Sequence, residues 1–311
     1  MFWRRFAVEI LESLVVILIV ALLGMLSRKT RIFSAKHIKT ISSFVYYFAL
    51  PSLFFVSLSN TDLSAIDYQV AVGSLLPIAI LLILLYVLKL IKILSKDSFI
   101  LLSLSISFGS YAFFGVAFFE TLYGGKWLPL AIVMSSILGL AGILFALVFF
   151  EYANKKERGL GFAFKIIKNP LVISLILGVV CSLFGIRLEI LNNGLSLLGK
   201  TAGGLAIFSL GIFIYDNFSM GAIRKASLYS LFRFLALPLA TTLVVLFSID
   251  VDLELQRYLI LQSGIPAAIS LAVFAERYEY KLAEVTGIVI ITSILSFIGL
   301  PILFFISGAA F

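Results

Sequence analysis

The sequence predicts an all-α polytopic membrane protein, and three observations carry that prediction. The chain is 62% hydrophobic and 13% charged, with a mean hydropathy of +1.16. That leaves too little polar surface to cover so much apolar matter in water. Its apolar residues fall into stretches of roughly 20, the length that crosses a bilayer as a helix, and the alternating pattern of an outer-membrane barrel is absent. One stretch contains SGIPAAISLAVFAERY (Ser263 to Tyr278). It places a glycine and a proline near its own middle, where a broken helix leaves backbone groups unpaired in hydrocarbon.

Ten apolar segments are legible, at about 7–27, 38–60, 68–91, 98–124, 128–152, 169–187, 192–215, 225–249, 256–277 and 283–308; they are numbered 1 to 10 below. Segment 1 follows MFWRRF and looks like a secretory leader, but it carries Glu9 and Glu12 and runs to Met25 without an Ala-x-Ala site. It is expected to stay as the first span. The connections are short and leave no room for a soluble domain. The longest, 154–168, holds Lys155, Lys156, Arg158, Lys165 and Lys168, and its GLGFAFKIIK reads as a basic amphipathic helix on the membrane surface.

Orientation follows from the positive charges, because Lys and Arg in short loops favour the cytoplasm. One set of loops carries Arg28, Lys29, Arg31, Lys36 and Lys39, then Lys89, Lys92 and Lys96, the five of the connector, Arg224 and Lys225, and Arg277 and Lys281. The other side has Arg4, Arg5, Lys126, Arg187 and Arg257 beside several acidic residues. Both termini are therefore expected outside the cytoplasm. The net charge of +8 is largely accounted for by topology, with no nucleic-acid partner implied.

Five segments on either side of residue 160 make inverted repeats the expectation, since an odd number turns the second half upside down. The expected units are residues 1–153, the connector 154–168 and residues 169–311. Weak echoes lie at a common offset: ALPSLFF (Ala49 to Phe55) with GLAIFSL (Gly204 to Leu210), Gly109 with Gly264, Tyr123 with Tyr278, and SSIL (Ser135 to Leu138) with TSIL (Thr292 to Leu295). By that register segment 9, broken at Gly264 and Pro266, pairs with segment 4, where Ser107, Gly109, Ser110, Tyr111 and Gly115 interrupt the apolar run. Paired interruptions in two inverted halves point to a transporter's binding site. The half-helix N-termini there would offer donors and partial positive charge to a carboxylate. Ser263 and Ser270 are expected to satisfy the backbone groups that the break frees. Pro51, Pro77 and Pro238 read as ordinary kinks.

These stretches resemble the auxin efflux carrier family, which includes plant auxin exporters and bacterial permeases of malate- and malonate-type acids. FALPSLFFVSLS (Phe48 to Ser59) looks like its segment 2 signature, LGKTAGGLAIFSLG (Leu198 to Gly211) like segment 7, and IPAAISLAVFAERY with ITSILSFIGLPI (Ile291 to Ile302) like its C-terminal signature. The resemblance implies ten spans in two inverted five-span repeats, a scaffold part, and a transport part whose broken segments 4 and 9 cross where substrate binds. It also makes a homodimer in the plasma or inner membrane plausible. Of the family's Asn-x-x-x-x-Gly-x-Pro in segment 4, which falls on Ser110, Gly115 and Ala117, only the glycine is kept. In segment 9 the proline survives as Pro266, and Ser270 stands where relatives often carry Asn. Substrate identity cannot be inherited through these departures.

The expected function is secondary transport of a small organic anion by an elevator-type mechanism. Ser110, Tyr111, Gly115, Pro266, Ala267 and Ser270 would form the crossing, with Ser52 adding a hydroxyl from segment 2. Lys200 either snorkels to the interface or attracts the anion. Glu120 is a proton-coupling carboxylate or a partner for a cation, and Arg233 reads as an interfacial anchor. The alternative is a sodium- or proton-coupled carrier of a related ten-span fold. Against it, the broken segments lack the carboxylate cluster that a hard cation wants. A channel or a non-transporting receptor has less support, for no segment supplies a continuous polar lining. The one cysteine, Cys181, excludes an internal disulfide, and the one histidine, His37, lies in a basic loop. With no HExxH, GxSxG or P-loop motif, neither an enzyme, a metal nor a cofactor is expected.

Overall fold

A computed structural model describes residue 15 and residues 19–60, 68–123, 127–154, 167–187, 189–217, 220–249 and 251–309. Glu9, Glu12, the 61–67 loop, residues 155–166 of the connector and the side chain of Glu120 lie outside the described residues. The described chain is helical apart from turns and one isolated β-bridge. Six of its helices are long and apolar enough to cross a membrane: Lys36–Ser59, Tyr68–Leu90, Met134–Ala153, Glu189–Asp216, Ile223–Phe247 and Leu282–Ser307. They correspond to segments 2, 3, 5, 7, 8 and 10. Segment 6 is the 14-residue helix Pro170–Leu183, and of segment 1 the helical run 19–29 is described. Segments 4 and 9 do not form continuous helices.

The helices sort into two groups by their packing. In one, segment 2 packs extensively on segments 6 and 7. The backbones meet closely there because small residues line the contacts. A Cβ on Gly24 or Gly211 would strike the opposing main chain where segment 1 crosses segment 7, and one on Gly178 would lie 2.9 Å from the Leu58 Cβ and 3.1 Å from the Phe55 carbonyl oxygen of segment 2. In the other group, segment 8 packs on segments 3, 4, 9 and 10, and segment 5 lies on segment 4. Leu228, Leu231, Leu235, Leu239, Leu243 and Leu246 form an exposed stripe along segment 8, the face that a bilayer covers. The second half of segment 9 touches segments 2 and 7 and so lies between the groups.

Pro51 does not end segment 2. Its ring crowds the carbonyl four residues back, and the helix widens into a π turn at Val45–Ala49, where the Leu50 N–H reaches the Val45 carbonyl. Pro77, Pro238 and Pro301 sit inside continuous helices.

Candidate functional site

The two interrupted segments meet at their breaks. Segment 4 runs as helix Lys96–Ser107, passes through an extended Phe108 (φ −126°, ψ 100°), and resumes as a π turn Tyr111–Gly115 and helix Val116–Tyr123. Segment 9 runs as helix Leu253–Ser263, turns at Gly264, and resumes as helix Ser270–Arg277. Gly109 and Ala267 form an antiparallel bridge between them. The Ser110 N–H donates to the Pro266 carbonyl at 2.8 Å, and the Ala268 N–H donates to the Phe108 carbonyl at 2.9 Å. Each break thus supplies the hydrogen bonds that the other has lost.

Gly109 is there for closeness. A Cβ would lie 2.6 Å from the Tyr111 ring and 3.0 Å from Nη2 of Arg233. Segment 10 completes the support for segment 9: Thr292 Oγ1 accepts from the Ala267 N–H at 3.1 Å, and Ser296 Oγ donates to the Gly264 carbonyl at 2.7 Å. Of the two serines expected to satisfy the freed groups, Ser263 does so from within its own turn: its Oγ donates at 2.5 Å to the Ile260 carbonyl, one of the last four of its half-helix, whereas Ser270 is buried without a hydrogen bond to the break. A hydroxyl on a neighbouring helix can face the break squarely, whereas one on the broken helix points along its own turn.

Arg233 is the largest correction to the sequence reading. It is 2% exposed and is no interfacial anchor. Its helix begins at Met220, so the residue lies 13 positions in, at a rise of roughly 20 Å. The guanidinium reaches the crossing. Nη1 donates to the carbonyls of Ser105 and, at 3.2 Å, of Ile106, while Nη2 donates to that of Ile265 at 2.7 Å. These carbonyls lie at the C-terminal ends of the two first half-helices, where acceptors are orphaned and the helix dipole is negative. The Tyr111 hydroxyl interacts with the same guanidinium. Among the described residues no carboxylate pairs with it.

Of the sequence-predicted site, Ser110, Tyr111, Gly115, Pro266 and Ala267 come together at this crossing. Neither second half is capped by a side chain at its N-terminus. The Ser110 carbonyl accepts from the Phe114 and Gly115 N–H groups, and its buried hydroxyl has no partner; the same holds for the hydroxyls of Ser103 and Ser107. Tyr111 lines a small pocket, with room for about one water molecule, together with Ser74, Thr241, Gln262 and Ser263. There Ser74 Oγ donates to Gln262 Oε1 at 2.7 Å, and Gln262 Nε2 donates to the Tyr258 hydroxyl at 3.1 Å. Ser52 is buried on segment 2 without a hydrogen bond to the crossing. Lys200 is exposed at a turn that divides segment 7. Sequence reasoning missed Thr292, Ser296, Gln262 and the role of Arg233. The signal for Arg233 was an ionisable side chain far from either end of an apolar helix.

At the Arg277 end of segment 9, side chains tie it to its neighbours. Arg277 donates to the Tyr47 hydroxyl at 2.5 Å and lies over that ring, and Lys39 pairs with Glu279 at 3.1 Å. Asp97, at the start of segment 4, accepts from the Tyr280 hydroxyl at 2.9 Å and from Lys281 at 3.2 Å. Partial burial disfavours its charge, but these two donors outweigh it and hold the carboxyl below its usual range.

Two broken helices that cross, embedded in a polytopic bundle, define a membrane transport protein. The chain belongs to the membrane transport protein family, the auxin efflux carrier-like proteins, whose profile matches residues 9–161 and 159–304. It is 25% identical over 300 residues to an uncharacterized transporter of Methanocaldococcus jannaschii, covering 92% of this chain and 95% of that one. Two probable auxin efflux carrier components of Oryza sativa subsp. japonica, 5b and 5c, are 29% and 31% identical over 149 and 147 residues. Those matches cover 46% and 45% of this chain and 40% and 38% of the rice proteins. The chain is a transporter and not an enzyme.

Proposed function

We propose that the protein is a secondary transporter of a small organic anion, a carboxylate, which binds at the crossing of segments 4 and 9. The observation that carries this reading is the guanidinium of Arg233, buried at the crossing with carbonyls and a tyrosine for company and, among the described residues, no carboxylate partner. A buried cation without a counter-charge is costly, and an arriving anion relieves that cost. The two uncapped half-helix N-termini and the free Ser110 hydroxyl add donors for it.

The crossing lies within the group of segments 3, 4, 5, 8, 9 and 10, so movement of that group against segments 1, 2, 6 and 7 would carry the site across as an elevator. Ten spans in two inverted repeats, 1–153 and 169–311 joined by 154–168, fit the packing. Gly24 of segment 1 lies on Phe208 of segment 7, and Gly178 of segment 6 lies on Phe55 of segment 2. The two glycines are 154 residues apart (178 − 24) and the two phenylalanines 153 (208 − 55), close to the offset of Gly109 and Gly264 (264 − 109 = 155). The protein would sit in the cell membrane with both termini outside the cytoplasm, as a homodimer.

The test is uptake by proteoliposomes of a panel of labelled mono- and dicarboxylates, with neutral analogues beside them. Uptake of an acid but not of its amide supports the reading, and equal uptake of both refutes it. A hydrogen bond to a charged group is worth about 1.5–3 kcal/mol, so Ser110→Ala or Ser270→Ala should weaken the transported acid by roughly tenfold, and Lys200→Ala only slightly. The reverse order would move the site to segment 7.

A further inference from the structure

We propose that Arg233 is a tethered cation, a positioning residue whose charge and donors together hold the two broken helices in register, and that truncating it opens a site for a free cation of the same shape. This rests on the transporter reading above, but its first readout needs no substrate. Three carbonyl oxygens, of Ser105, Ile106 and Ile265, converge on one point from the C-terminal ends of two half-helices. Oxygens gathered in this way repel one another and present negative potential, the arrangement that binds cations elsewhere. A planar guanidinium with five donors fits several such acceptors at once. Arg233 delivers it from segment 8, a helix outside the crossing, and so fastens segments 4, 8 and 9 together. Gly109 completes the fit, for its missing side chain leaves room for Nη2.

Charge and hydrogen bonding can be separated because urea and guanidinium share shape and N–H donors but differ in charge. The Arg233→Ala protein is purified in detergent, and its melting temperature is followed with 0 to about 20 mM guanidinium chloride, urea or sodium chloride, concentrations too low to unfold a protein through the denaturant slope. The expected result is a variant several degrees less stable than wild type, which guanidinium raises saturably and urea does not. Wild type should respond to neither. In proteoliposomes, uptake of the anion should fall at least tenfold and recover with guanidinium on both sides of the membrane, since a tenfold change corresponds to about 1.4 kcal/mol, less than the cost of leaving buried partners unsatisfied.

Equal rescue by urea and guanidinium would reduce Arg233 to a hydrogen-bond donor and overturn the role of its charge. No rescue by either, or a variant as stable as wild type, would overturn the proposal outright. Should Arg233→Ala not be recovered folded, Arg233→Lys and Arg233→Gln decide the matter. Lysine keeps the charge and is expected to preserve a folded protein; glutamine keeps donors without charge and is expected to lose it. Equal recovery of the two refutes the tethered cation. Guanidinium rescue of stability without uptake of any acid would sustain this inference while refuting the anion as cargo.

Discussion

Segments 4 and 9 are both broken where they cross, and by different means. Segment 9 breaks where its own residues favour it: Pro266 lacks an N–H and Gly264 turns the chain. Segment 4 has no proline. Its break at Phe108–Ser110 is held from outside, by the backbone pairing with Pro266 and Ala268 and by Arg233 on the carbonyls of Ser105 and Ile106. One break is local and the other is tertiary. A helix can be opened without a helix breaker when neighbouring groups satisfy the released backbone more completely than the next turn would.

The comparison is broken most severely at Gly109, where the tertiary break has least room. Gly109→Val should cost uptake well over tenfold and lower the melting temperature, because its Cβ falls 2.6 Å from the Tyr111 ring and 3.0 Å from Arg233, and overpacking of this kind costs about 1–3 kcal/mol or more. Gly115→Ala serves as the control for overpacking: its Cβ would meet Ile265 at an ordinary 3.8 Å, and a melting temperature close to wild type is expected.

Next in size are the supports that segment 10 lends to segment 9. Thr292→Ala leaves the buried Ala267 N–H unpaired and Ser296→Ala does the same to the Gly264 carbonyl, so each should destabilise by about 1–3 kcal/mol in a thermal melt. A melt unchanged in both variants would mean that Pro266 alone maintains the break.

Pro266→Ala should matter less than the absence of a helix breaker suggests. The bridge to Gly109 and the two segment 10 hydroxyls remain, and the loss of proline's restriction of the unfolded chain is worth only about 0.4–1 kcal/mol. Uptake within a few-fold of wild type is expected. Loss as complete as that of Gly109→Val would show that both breaks depend on local sequence.

The smallest effect belongs to Asp97, which ties the start of segment 4 to the Tyr280–Lys281 loop after segment 9. Its carboxyl pKa is depressed in the folded protein, so the stability it contributes is present above the unfolded value of about 3.9 and is lost as pH falls through the folded value. Asp97→Asn should therefore lower the melting temperature slightly at neutral pH and approach wild type only as the pH falls below the range in which the folded carboxyl titrates. The group is half exposed, and screening keeps the contribution small.

The class of the protein, its apolar segments and the break at Pro266 could be read from the chain because each depends on residues adjacent in sequence. Hydropathy over about 20 residues and the missing N–H of a proline are local properties. What surrounds the break was not legible. Thr292 and Ser296 look like any hydroxyls in an apolar helix, and only the packing of segment 10 on segment 9 aims them at Ala267 and Gly264. Arg233 looked like an anchor because it lies towards the Arg224 end of its apolar run; packing of segment 8 on segments 4 and 9 buries it and turns its guanidinium to the crossing instead. Composition and local conformational preference were determined by the sequence alone. Which carbonyls face which cation across three helices, 105, 106 and 265 around 233, was decided only by tertiary structure, because those partners are brought within hydrogen-bond reach by the packing of segments that share no local rule.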